Sequence, residues 1–374
     1  MSGRFDVVVA GLGVVGSAAA SELARRGLSV AGLDRGSPPH DLGSSHGETR
    51  MIREAYFEHP LYVPLVRRAY DGWRALEERS GRRLLFETGG ILAGAPAGEL
   101  VGGALASAGR HGIEVERLDQ EDALLAYPGL RLPSAHALLR EARAGYLLAE
   151  PCVEALLDAA RDAGAELRTG ETVEGWDEDG TSGLLVRSSS GDLACGTLVL
   201  AAGAWTPSLC GLPSLPLLPV RMTQHWFRPS GGTLDPRELP VFLLELDPGR
   251  IAYGFPDLGG GVKAAFHHGG VPCAPDRLER GVRRAEARAV AHVMERYFPG
   301  SAWRPVRSAA CMYTLTPDRH FVVDRHPRSP RVIVAGGFSG HGFKFAPALG
   351  SIVAGLAAGS EPAFDLSPFR IGRF

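Results

Sequence analysis

The stretch GSSHGETRMIREAY places one imidazole and two guanidinium groups within eight residues. If this stretch forms a helical turn, His46 and Arg50 share one face and Arg53 lies one turn further along. The planar guanidinium group of arginine binds a carboxylate through two parallel hydrogen bonds. The spacing therefore predicts a site for a ligand that carries a carboxylate. The alternative is a surface loop in which these side chains pair with Glu48 and Glu54.

Lysine is rare in this chain, since all but two of its 40 basic residues are arginine. A lysine retained against this bias indicates a position that needs a compact ammonium group whose pKa can shift. Lys263 lies in a strand-like run, where an even spacing places it on one face with Ala265 and His267, and Tyr253 lies upstream before a turn. Solvated surface lysines are the alternative interpretation.

The second lysine lies in GGFSGHGFKFAPALG, a segment that predicts a glycine-rich connection between a strand and a helix. Glycines at a helix start, such as Gly340, present backbone N–H groups to an anion or to an electron-rich ring edge. Lys344 lies between Phe343 and Phe345, and an ammonium group in such an apolar setting needs a partner. A substrate carboxylate is one candidate.

An isolated cysteine begins the stretch CMYTLTPDRHFVVD. Most such residues are small buried hydrophobic groups, so the local sequence alone does not decide whether Cys311 reacts. The chain has five cysteines with no CxxC spacing, which favours a reducing compartment over a disulfide framework. We therefore expect a cytoplasmic protein, and no metal site is predicted.

The elements that must position these groups begin at the N-terminus. Phe5 to Ala10 predicts a buried strand, Val14 to Arg26 a helix and Leu28 to Leu33 a second strand, which ends at Asp34. Together they predict a complete βαβ unit.

Three glycines, Gly11, Gly13 and Gly16, lie between the first strand and the helix in G-x-G-x-x-G spacing. They permit a tight turn, close approach of the backbone to a pyrophosphate and close packing of helix on sheet, while Asp34 follows where ribose hydroxyls are bound. The unit predicts dinucleotide binding, and the motif does not distinguish NAD from FAD.

Further along the chain, periodicity predicts amphipathic helices at Leu61 to Arg79, Cys152 to Ala163 and Arg277 to Tyr297. Short alternating runs with Gly and Pro turns, such as RMTQHWF, VFLLEL, RIAYGF and GVKAAF, predict an antiparallel sheet. The predicted fold class is therefore α/β, with a doubly wound (Rossmann-type) nucleotide-binding domain and a second, β-rich antiparallel-sheet catalytic domain.

The chain passes twice between these two predicted domains. The discontinuous nucleotide-binding domain comprises 1–80, 145–215 and 312–374, and the substrate domain comprises 81–144 and 216–311. A net charge of −2 with mixed acidic and basic residues argues against a nucleic-acid or membrane surface as the partner. We therefore expect a small-molecule ligand. The chain is also expected to be a monomer, although its charge and composition do not determine the oligomeric state.

Taken together, the segments resemble the monomeric sarcosine oxidase family of FAD-dependent amine oxidases, which includes N-methyltryptophan oxidase and, further off, pipecolate oxidases. The resemblance runs through most of the chain. It is most specific in three places: the HG-x-TR-x-x-R segment from His46 to Arg53, YGFP followed by Lys263, and CMYTLTPDRHFVVD followed by GFSGHGFKF.

The resemblance implies a role for each matching position. It implies that Cys311 carries FAD through a thioether to the 8α-methyl group, that Arg53 and Lys344 hold the substrate carboxylate, and that Lys263 lies by flavin N5 where oxygen is activated. The remaining implied residues line the catalytic site (His46, Arg50, Tyr253, His267, Tyr313) or contact the cofactor (Ser44, Thr49, Gly340, with Lys344).

The implied reaction is oxidation of an N-methyl amino acid, with sarcosine, O₂ and water giving glycine, formaldehyde and hydrogen peroxide. A cyclic or larger secondary amino acid, such as pipecolate, proline or N-methyltryptophan, is the alternative substrate, and Leu243 and Leu244 lie near where the family lines its pocket. Two other classes stay open: a nicotinamide-dependent dehydrogenase with the same βαβ unit, and a flavin-binding protein without turnover.

Overall fold

The computed structural model describes residues 4–180, 183–231, 235, 237–247, 249–360 and 363–374. In its first sheet, five strands pair in parallel and three further strands join them by antiparallel pairing. The strands of this sheet are β1 (Phe5–Ala10), β2 (Val30–Asp34), β9 (Glu166–Thr169), β10 (Val173–Asp179), β11 (Gly183–Ser188), β12 (Leu193–Leu200), β19 (Val322–His326) and β20 (Ser329–Gly336). β1 lies at its centre between β2 and β12, as expected for a first strand with apolar residues on both faces.

The α-helices pack on this first sheet and on a second large sheet, which is described in the next paragraph. Their bounds are α1 (Val14–Arg25), α2 (Tyr62–Ser80), α3 (Glu99–His111), α4 (Gln120–Ala126), α5 (Ala149–Asp162), α6 (Thr206–Cys210), α7 (Arg284–Tyr297) and α8 (Ala346–Ala357). α1 packs on both α5 and α8. Its buried face consists mostly of small residues such as Ala18, Ala19 and Ala20, which let the neighbouring helices come close.

The second sheet is antiparallel except where β14 pairs with β5. Its strands are β5 (Gly90–Gly94), β6 (Glu116–Leu118), β7 (Ala137–Glu141), β13 (Leu218–Ser230), β14 (Val241–Asp247), β15 (Arg250–Phe255), β16 (Val262–Phe266), β17 (Val271–Pro272) and β18 (Ala302–Leu315). Residues of α7 share a hydrophobic core with one face of this sheet. The other face packs partly against α3 and partly lines a cavity.

A third, small sheet joins segments that lie far apart in the chain. It consists of β3 (Thr49–Ile52), β4 (Leu85–Phe86) and β8 (Gly145–Leu148). β3 corrects the expectation of a helical turn after His46, because Arg50 lies in an extended strand paired with β8. Arg50 instead reaches back to the backbone of the preceding loop.

The predicted fold class, an α/β nucleotide-binding unit with a second, mainly antiparallel sheet, is confirmed. One helix prediction was wrong at its start, since α7 begins at Arg284 and not at Arg277. The backbone N–H of Arg283 donates to Glu286 Oε2 at 2.7 Å, so a side chain within the charged run fixes the helix start.

The division of the chain into two discontinuous domains stays a prediction. The strands of the first sheet fall within 1–80, 145–215 and 312–374, and those of the second within 81–144 and 216–311, except that β18 continues to Leu315. One long strand therefore runs from the second sheet towards the nucleotide-binding unit.

Candidate active site between the two sheets

The three glycines of the fingerprint form the turn between β1 and α1. Gly11 has φ +93° and donates its N–H to the carbonyl of Leu33 at 2.8 Å. A Cβ atom at Gly16 would lie 1.8 Å from the carbonyl oxygen of Gly11, so only glycine lets the helix pack this closely on the turn. Gly13 precedes α1 and has no side chain to cap it, and Ser45 Oγ accepts a hydrogen bond from the N–H of Val14 at 3.2 Å. A helix leaves its first N–H groups without partners inside the helix, so the rest of this N-terminus can still bind an anion.

Asp34 ends β2 beside this turn. Its carboxylate accepts hydrogen bonds from the N–H of Leu12 at 2.8 Å and of Gly36 at 2.9 Å, and its Oδ1 lies 2.9 Å from His40 Nε2. Burial raises its pKa, but these hydrogen bonds outweigh that effect and lower the pKa below its usual value. Asp34 therefore stays ionised and braces the glycine turn.

A cavity of about 320 Å³ opens at the N-terminus of α1 and at the carboxyl ends of β1 and β2. Its lining includes Gly11, Gly13, Asp34, Ser44, Trp205 and Gly340. A crevice at the carboxyl ends of parallel strands is where doubly wound sheets bind nucleotides. The helix N-terminus, the glycine turn and the carboxylate at the second strand fit a dinucleotide such as FAD.

A second cavity, of about 60 Å³, lies next to the first. Four residues line both cavities, namely Arg50, Tyr313, Gly340 and Phe343. The further lining of the second cavity is either charged or polar (Arg53, Glu58, His267, Lys344) or apolar (Met51, Phe57, Leu243, Phe255). A small ligand in this cavity is thus held against the end of the larger one.

The loop before β3 is tied to the wall between the cavities. Arg50 donates to the carbonyls of Thr49, Ser44 and His46 at 2.7, 2.7 and 2.5 Å. Ser44 Oγ donates to the carbonyl of Met312 at 2.6 Å. Burial and the charge of Arg50 lower the pKa of His46 to about 4, so its imidazole is neutral, and its Nε2 has no hydrogen-bond partner among the described residues.

Arg53 is buried with 3% of its surface exposed and forms an ion pair with Glu58 at 2.6 Å. Its guanidinium lies over the rings of Tyr56 and Phe57, each at 4.4 Å from the centroid. Burial raises the pKa of Glu58, but Arg53 and neighbouring cations outweigh burial and lower it to about 2. Arg53 and Glu58 therefore face the small cavity as a charged pair.

The pairing of the acidic residues in this stretch rules out the surface-loop alternative. Glu48 pairs with Arg307, while Glu54 pairs with Arg67 and Arg143. Among the described residues, neither carboxylate forms an ion pair with Arg50 or Arg53.

Lys344 is the second cation of the small cavity. Its Nζ donates to the carbonyl of His341 at 2.9 Å and to Tyr56 Oη at 3.3 Å. Burial, together with the nearby charge of Arg53, lowers its pKa to about 7, although Glu58 acts in the opposite direction. A carboxylate placed beside Lys344 would favour its protonated form.

Lys263 lies on β16 with 2% of its surface exposed. Its Nζ donates to the carbonyls of Gly47 and Thr49 at 2.6 and 2.9 Å, and Thr49 Oγ1 lies at 3.4 Å. Burial, and then the charge of Arg50, lower its pKa well below the usual value. The structure therefore places a desolvated amino group beside the loop that forms one wall of the site.

Three further predicted residues surround the small cavity. Tyr253 lies on β15, Tyr313 on β18, and His267 directly follows β16, with its Nε2 3.8 Å from Glu58 Oε1. Burial and the adjacent His268 lower the pKa of His267 well below its usual value, so the imidazole is neutral. Burial raises the pKa of both tyrosines, so both phenols keep their protons.

Cys311 lies on β18 opposite Met222 of β13 and lines the small cavity. Its thiol is free and 5% exposed. Burial raises its pKa, while Arg50 and Lys263 act to lower it. Its neighbours Met312 and Tyr313 line the large cavity, so the thiol stands where the two cavities adjoin.

Twelve of the predicted residues line one or both cavities: Arg50, Arg53, Tyr253, His267, Cys311, Tyr313, Gly340 and Lys344 line the small one, and Gly11, Gly13, Asp34 and Ser44 line the large one. Gly16, His46, Thr49 and Lys263 line neither cavity, so their roles at the site stay predictions. The structure also adds residues that the sequence did not indicate. Glu58 is the buried partner of Arg53, and Tyr56 links Lys344 to His341 through a 2.7 Å hydrogen bond to Nδ1. Glu58 lies only five residues after Arg53, so an acidic residue at that spacing was the available signal.

Comparison with known proteins gives a consistent picture. Residues 6–356 match the family of FAD dependent oxidoreductases (DAO). A protein from Streptomyces avermitilis named monomeric sarcosine oxidase is 39% identical over 99% of this chain and 97% of its own length. N-methyl-L-tryptophan oxidase from Salmonella heidelberg is 34% identical over 99% of both chains.

Among solved structures, the open form of NikD, described as an unusual amino acid oxidase essential for nikkomycin biosynthesis, is similar with a TM-score of 0.85 and 27% identity. The match covers 98% of this chain and 97% of that one. The family match decides for FAD over NAD and confirms the resemblance inferred from the motifs. The chain therefore belongs to the FAD-dependent oxidoreductase family, and within it to the flavin-dependent amine oxidases that include the monomeric sarcosine oxidases and the N-methyl-L-tryptophan oxidases.

Proposed function

We propose that this enzyme oxidises the N-methyl group of a small N-methyl amino acid, with sarcosine as the preferred substrate. The observation that carries the proposal is the small cavity itself. It presents two buried cations, Arg53 and Lys344, to a volume of about 60 Å³ that adjoins the dinucleotide cavity. Two fixed cations suit one carboxylate, and a cavity of this small volume suits a short amine.

FAD, when bound, supplies hydride acceptance from the carbon next to nitrogen and reduction of dioxygen to hydrogen peroxide. The residues proposed to hold it are Gly11, Gly13 and Gly16 at the pyrophosphate, Asp34 at the ribose, and Ser44, Thr49 and Gly340 near the ring. The net reaction is sarcosine, O₂ and water to glycine, formaldehyde and hydrogen peroxide.

The charged pair at the small cavity sets how substrate enters. Glu58 already forms an ion pair with Arg53 at 2.6 Å. A substrate carboxylate therefore either competes with Glu58 for the guanidinium group or binds to Lys344 while the Arg53–Glu58 pair stays in place. The neutral imidazole of His267 and the protonated phenols of Tyr253 and Tyr313 surround the cavity without adding charge. This setting disfavours an ammonium ion in the cavity, so it favours the unprotonated amine that hydride removal requires.

Lys263 is proposed to assist the reduction of dioxygen to hydrogen peroxide. A desolvated ammonium group can stabilise negative charge that develops on dioxygen. Among the described residues, Lys263 Nζ donates hydrogen bonds to Gly47 and Thr49, neither of which lines the small cavity. His46 and Arg50 are proposed to support the electron-rich edge of the bound ring from the same loop.

An anaerobic substrate panel tests the preferred substrate. Sarcosine, L-pipecolate, L-proline and N-methyl-L-tryptophan are each added to oxygen-free enzyme while the flavin absorption is followed. We expect sarcosine to bleach the flavin fastest, and equal yields of formaldehyde and peroxide in air. Rapid bleaching by a cyclic amino acid, with sarcosine leaving the flavin oxidised, would replace sarcosine by the cyclic class. The absence of bleaching and of peroxide with every amine would favour a flavin-binding protein without turnover.

Two adjacent leucines provide matched variants for the size of the cavity. Leu243 lines the cavity, whereas Leu244 faces the hydrophobic core on the opposite side of β14. Leu243→Ala is expected to raise the rate with N-methyl-L-tryptophan relative to sarcosine by about tenfold, since one or two lost methylene contacts are worth about 1–2 kcal/mol. Leu244→Ala should lower stability and leave that ratio unchanged.

Covalent attachment of FAD at Cys311 is part of the proposal. The Cys311 thiol lies beside the wall shared by the two cavities. Burial raises its pKa, and Arg50 and Lys263 partly oppose that rise. A thioether from Sγ to the 8α-methyl carbon would replace the S–H bond and one methyl C–H bond; the two electrons released would pass to the flavin ring and from there to dioxygen. This bond would fix the ring against β18.

We also propose a reducing compartment such as the cytoplasm, because all five cysteines are free and Cys152, Cys195, Cys210 and Cys311 are buried. Some relatives are named monomeric sarcosine oxidase, which supports a monomer. Within the part of the chain that the structure describes, no helix combines the length and the apolar character needed to cross a bilayer.

A further inference from the structure

Glu48 has a backbone conformation that a residue with a side chain rarely adopts. Its φ is +67°, in the left-handed region, and it lies between Gly47 and Thr49. Such a conformation is strained in a residue with a side chain and persists only where the surroundings hold it. The carbonyls on either side of Glu48 are the two that accept hydrogen bonds from Lys263 Nζ, at 2.6 and 2.9 Å.

The backbone of Glu48 is fixed from the side of α5. Its N–H donates to Glu150 Oε2 at 3.0 Å, and its carbonyl accepts from the N–H of Ala149 at 2.7 Å. The N–H of Gly47 also donates to Glu150, at 2.6 Å to Oε1. These hydrogen bonds hold the backbone of the turn, whereas the side chain of Glu48 makes separate contacts.

The side chain of Glu48 is held by two residues of the second sheet. Trp226 Nε1 donates to Glu48 Oε2 at 2.6 Å, and Arg307 forms an ion pair with Oε1. The Arg307 guanidinium also lies over the Trp226 ring, 3.7 Å from its centroid. The Glu48 carboxylate therefore joins the loop before β3 to β13 and β18.

Trp226 is also the cross-strand neighbour of Lys263. The two residues are directly paired between β13 and β16, and Lys263 Nζ lies 5.6 Å from the centroid of the ring. On the other side, Trp226 faces Arg307 across β13 and β18. One indole ring, 1% exposed, thus contacts the lysine, the arginine and the glutamate.

We infer that Glu48 is a positioning residue for Lys263: its carboxylate, bound to Trp226 and Arg307, holds the left-handed turn that aims the carbonyls of Gly47 and Thr49 at the lysine ammonium. The inference rests on the proposed role of Lys263 in the oxygen step. It predicts that loss of the Glu48 side chain impairs reaction with dioxygen and leaves oxidation of the amine intact.

The composition of the chain makes Lys263 directly observable. The chain has only two lysines, so protein grown with ¹³Cε-labelled lysine gives two signals, and Lys344→Met leaves the one from Lys263. The charged or ionisable groups that act on Lys263 are His46, Arg50, Cys311, Glu150 and Glu48 itself. All of these except Glu48 are kept in every variant, so a change in titration reports on residue 48.

The variants at residue 48 separate charge from anchoring. Glu48→Ala and Glu48→Gly both lose the anchor, and glycine also removes the strain of the positive φ. Glu48→Gln loses the charge but keeps an oxygen that can accept from Trp226. In labelled holoenzyme we expect the Lys263 midpoint to fall by about one pH unit or more in the alanine and glycine variants, and by less than half as much in the glutamine variant.

The rate of flavin reoxidation by dioxygen supplies the second measurement. We expect the alanine and glycine variants to lose about tenfold or more in this rate, while anaerobic reduction by sarcosine changes by less than about twofold, and glutamine to restore most of the rate. Glu54→Ala is the matched control, since this buried carboxylate pairs with Arg67 and Arg143, and it should leave the Lys263 midpoint unchanged.

A glycine variant with the Lys263 midpoint and oxygen rate of the parent enzyme would overturn the inference, and so would a glutamine variant as impaired as alanine. Failure of the proposed function is distinguishable. If no amine reduces the flavin, dithionite can reduce it, and both the oxygen rate and the lysine titration are still measured.

Discussion

The side chains of the site carry more positive than negative charge. Arg50, Arg53 and Lys344 line the small cavity, where Glu58 is the carboxylate among the described lining residues. Lys263 adds an amino group behind the loop wall. Fixed cations in a desolvated site favour ligands and reaction states that bring negative charge. A substrate carboxylate and developing charge on oxygen both meet this condition.

Lys344 should make carboxylate binding depend on pH. Its pKa of about 7 means that it loses its proton as the pH rises above neutrality, while His341 and Glu58, with pKa values of about 4 and about 2, do not titrate there. We expect the Kd of acetate, a carboxylate without an oxidisable amine, to rise by up to about tenfold per pH unit above pH 7. Flavin absorbance changes on titration with acetate measure it.

Two variants control this prediction. Lys344→Gln should bind acetate weakly at every pH, and Lys344→Arg should bind it with little pH dependence, because guanidinium stays charged. A glutamine variant that retains the pH slope of the parent would assign the slope to another group.

Cys311→Ala should release the flavin. After acid precipitation, we expect the parent protein to keep its yellow colour in the pellet and the variant to lose it to the supernatant. The buried thiol is replaced by a methyl group of similar polarity, so the cost in stability should be only about 1 kcal/mol. Colour in the supernatant of the parent protein would contradict the tether.

At the scale of elements, the site depends on how closely α1 approaches the turn that precedes it. The Cβ position of Gly16 lies 1.8 Å from the carbonyl of Gly11, whereas Gly109, in the last turn of α3, has no neighbouring atom within 4 Å of its Cβ position. Each glycine is the third residue from an end of its helix, so helix propensity favours alanine at both positions. Only the packing differs.

Gly16→Ala is therefore expected to destabilise the protein by about 2 kcal/mol or more and to weaken FAD retention. Gly109→Ala should be neutral or stabilise the protein by up to about 1 kcal/mol. Thermal unfolding midpoints and the flavin-to-protein absorbance ratio measure both effects. Equal behaviour of the two variants would show that close packing at Gly16 is not what the turn requires.

The elements also show what sequence could predict. The βαβ unit follows from local signals, since an apolar strand, a glycine turn and a periodic helix are contiguous in the chain. β3 was not predicted, because its partner β8 is almost a hundred residues away and four residues carry little periodicity. The partner of Arg53 was missed for a related reason, since Glu58 becomes its partner only through burial of both side chains.

On the scale of the whole molecule, the site lies where the two large sheets meet. The glycine turn and Asp34 come from the first sheet, whereas Lys263, Tyr253 and Cys311 come from the second. A cofactor that occupies the large cavity contacts both parts of the chain. Binding to the folded state alone shifts the unfolding equilibrium, so FAD should stabilise the assembly as a whole.

Removal of FAD tests this coupling in the Cys311→Ala protein, where the cofactor is not tethered. We expect the stripped protein to unfold at lower temperature, and FAD at about one hundred times its Kd to restore about 2.7 kcal/mol. NAD at the same concentration is the control, and we expect it to have little effect. Equal stabilisation by NAD would contradict the assignment of the large cavity to FAD.

Both lysines of the chain are buried, with 2% of Lys263 and 6% of Lys344 exposed. The positive charge on the exterior is therefore carried by arginine, together with any protonated histidine. Reagents that acylate primary amines find no side-chain target on the folded protein, so labelling of either lysine must wait until the site opens. The rate at which Lys263 and Lys344 are acylated therefore measures how often the catalytic centre opens to solvent.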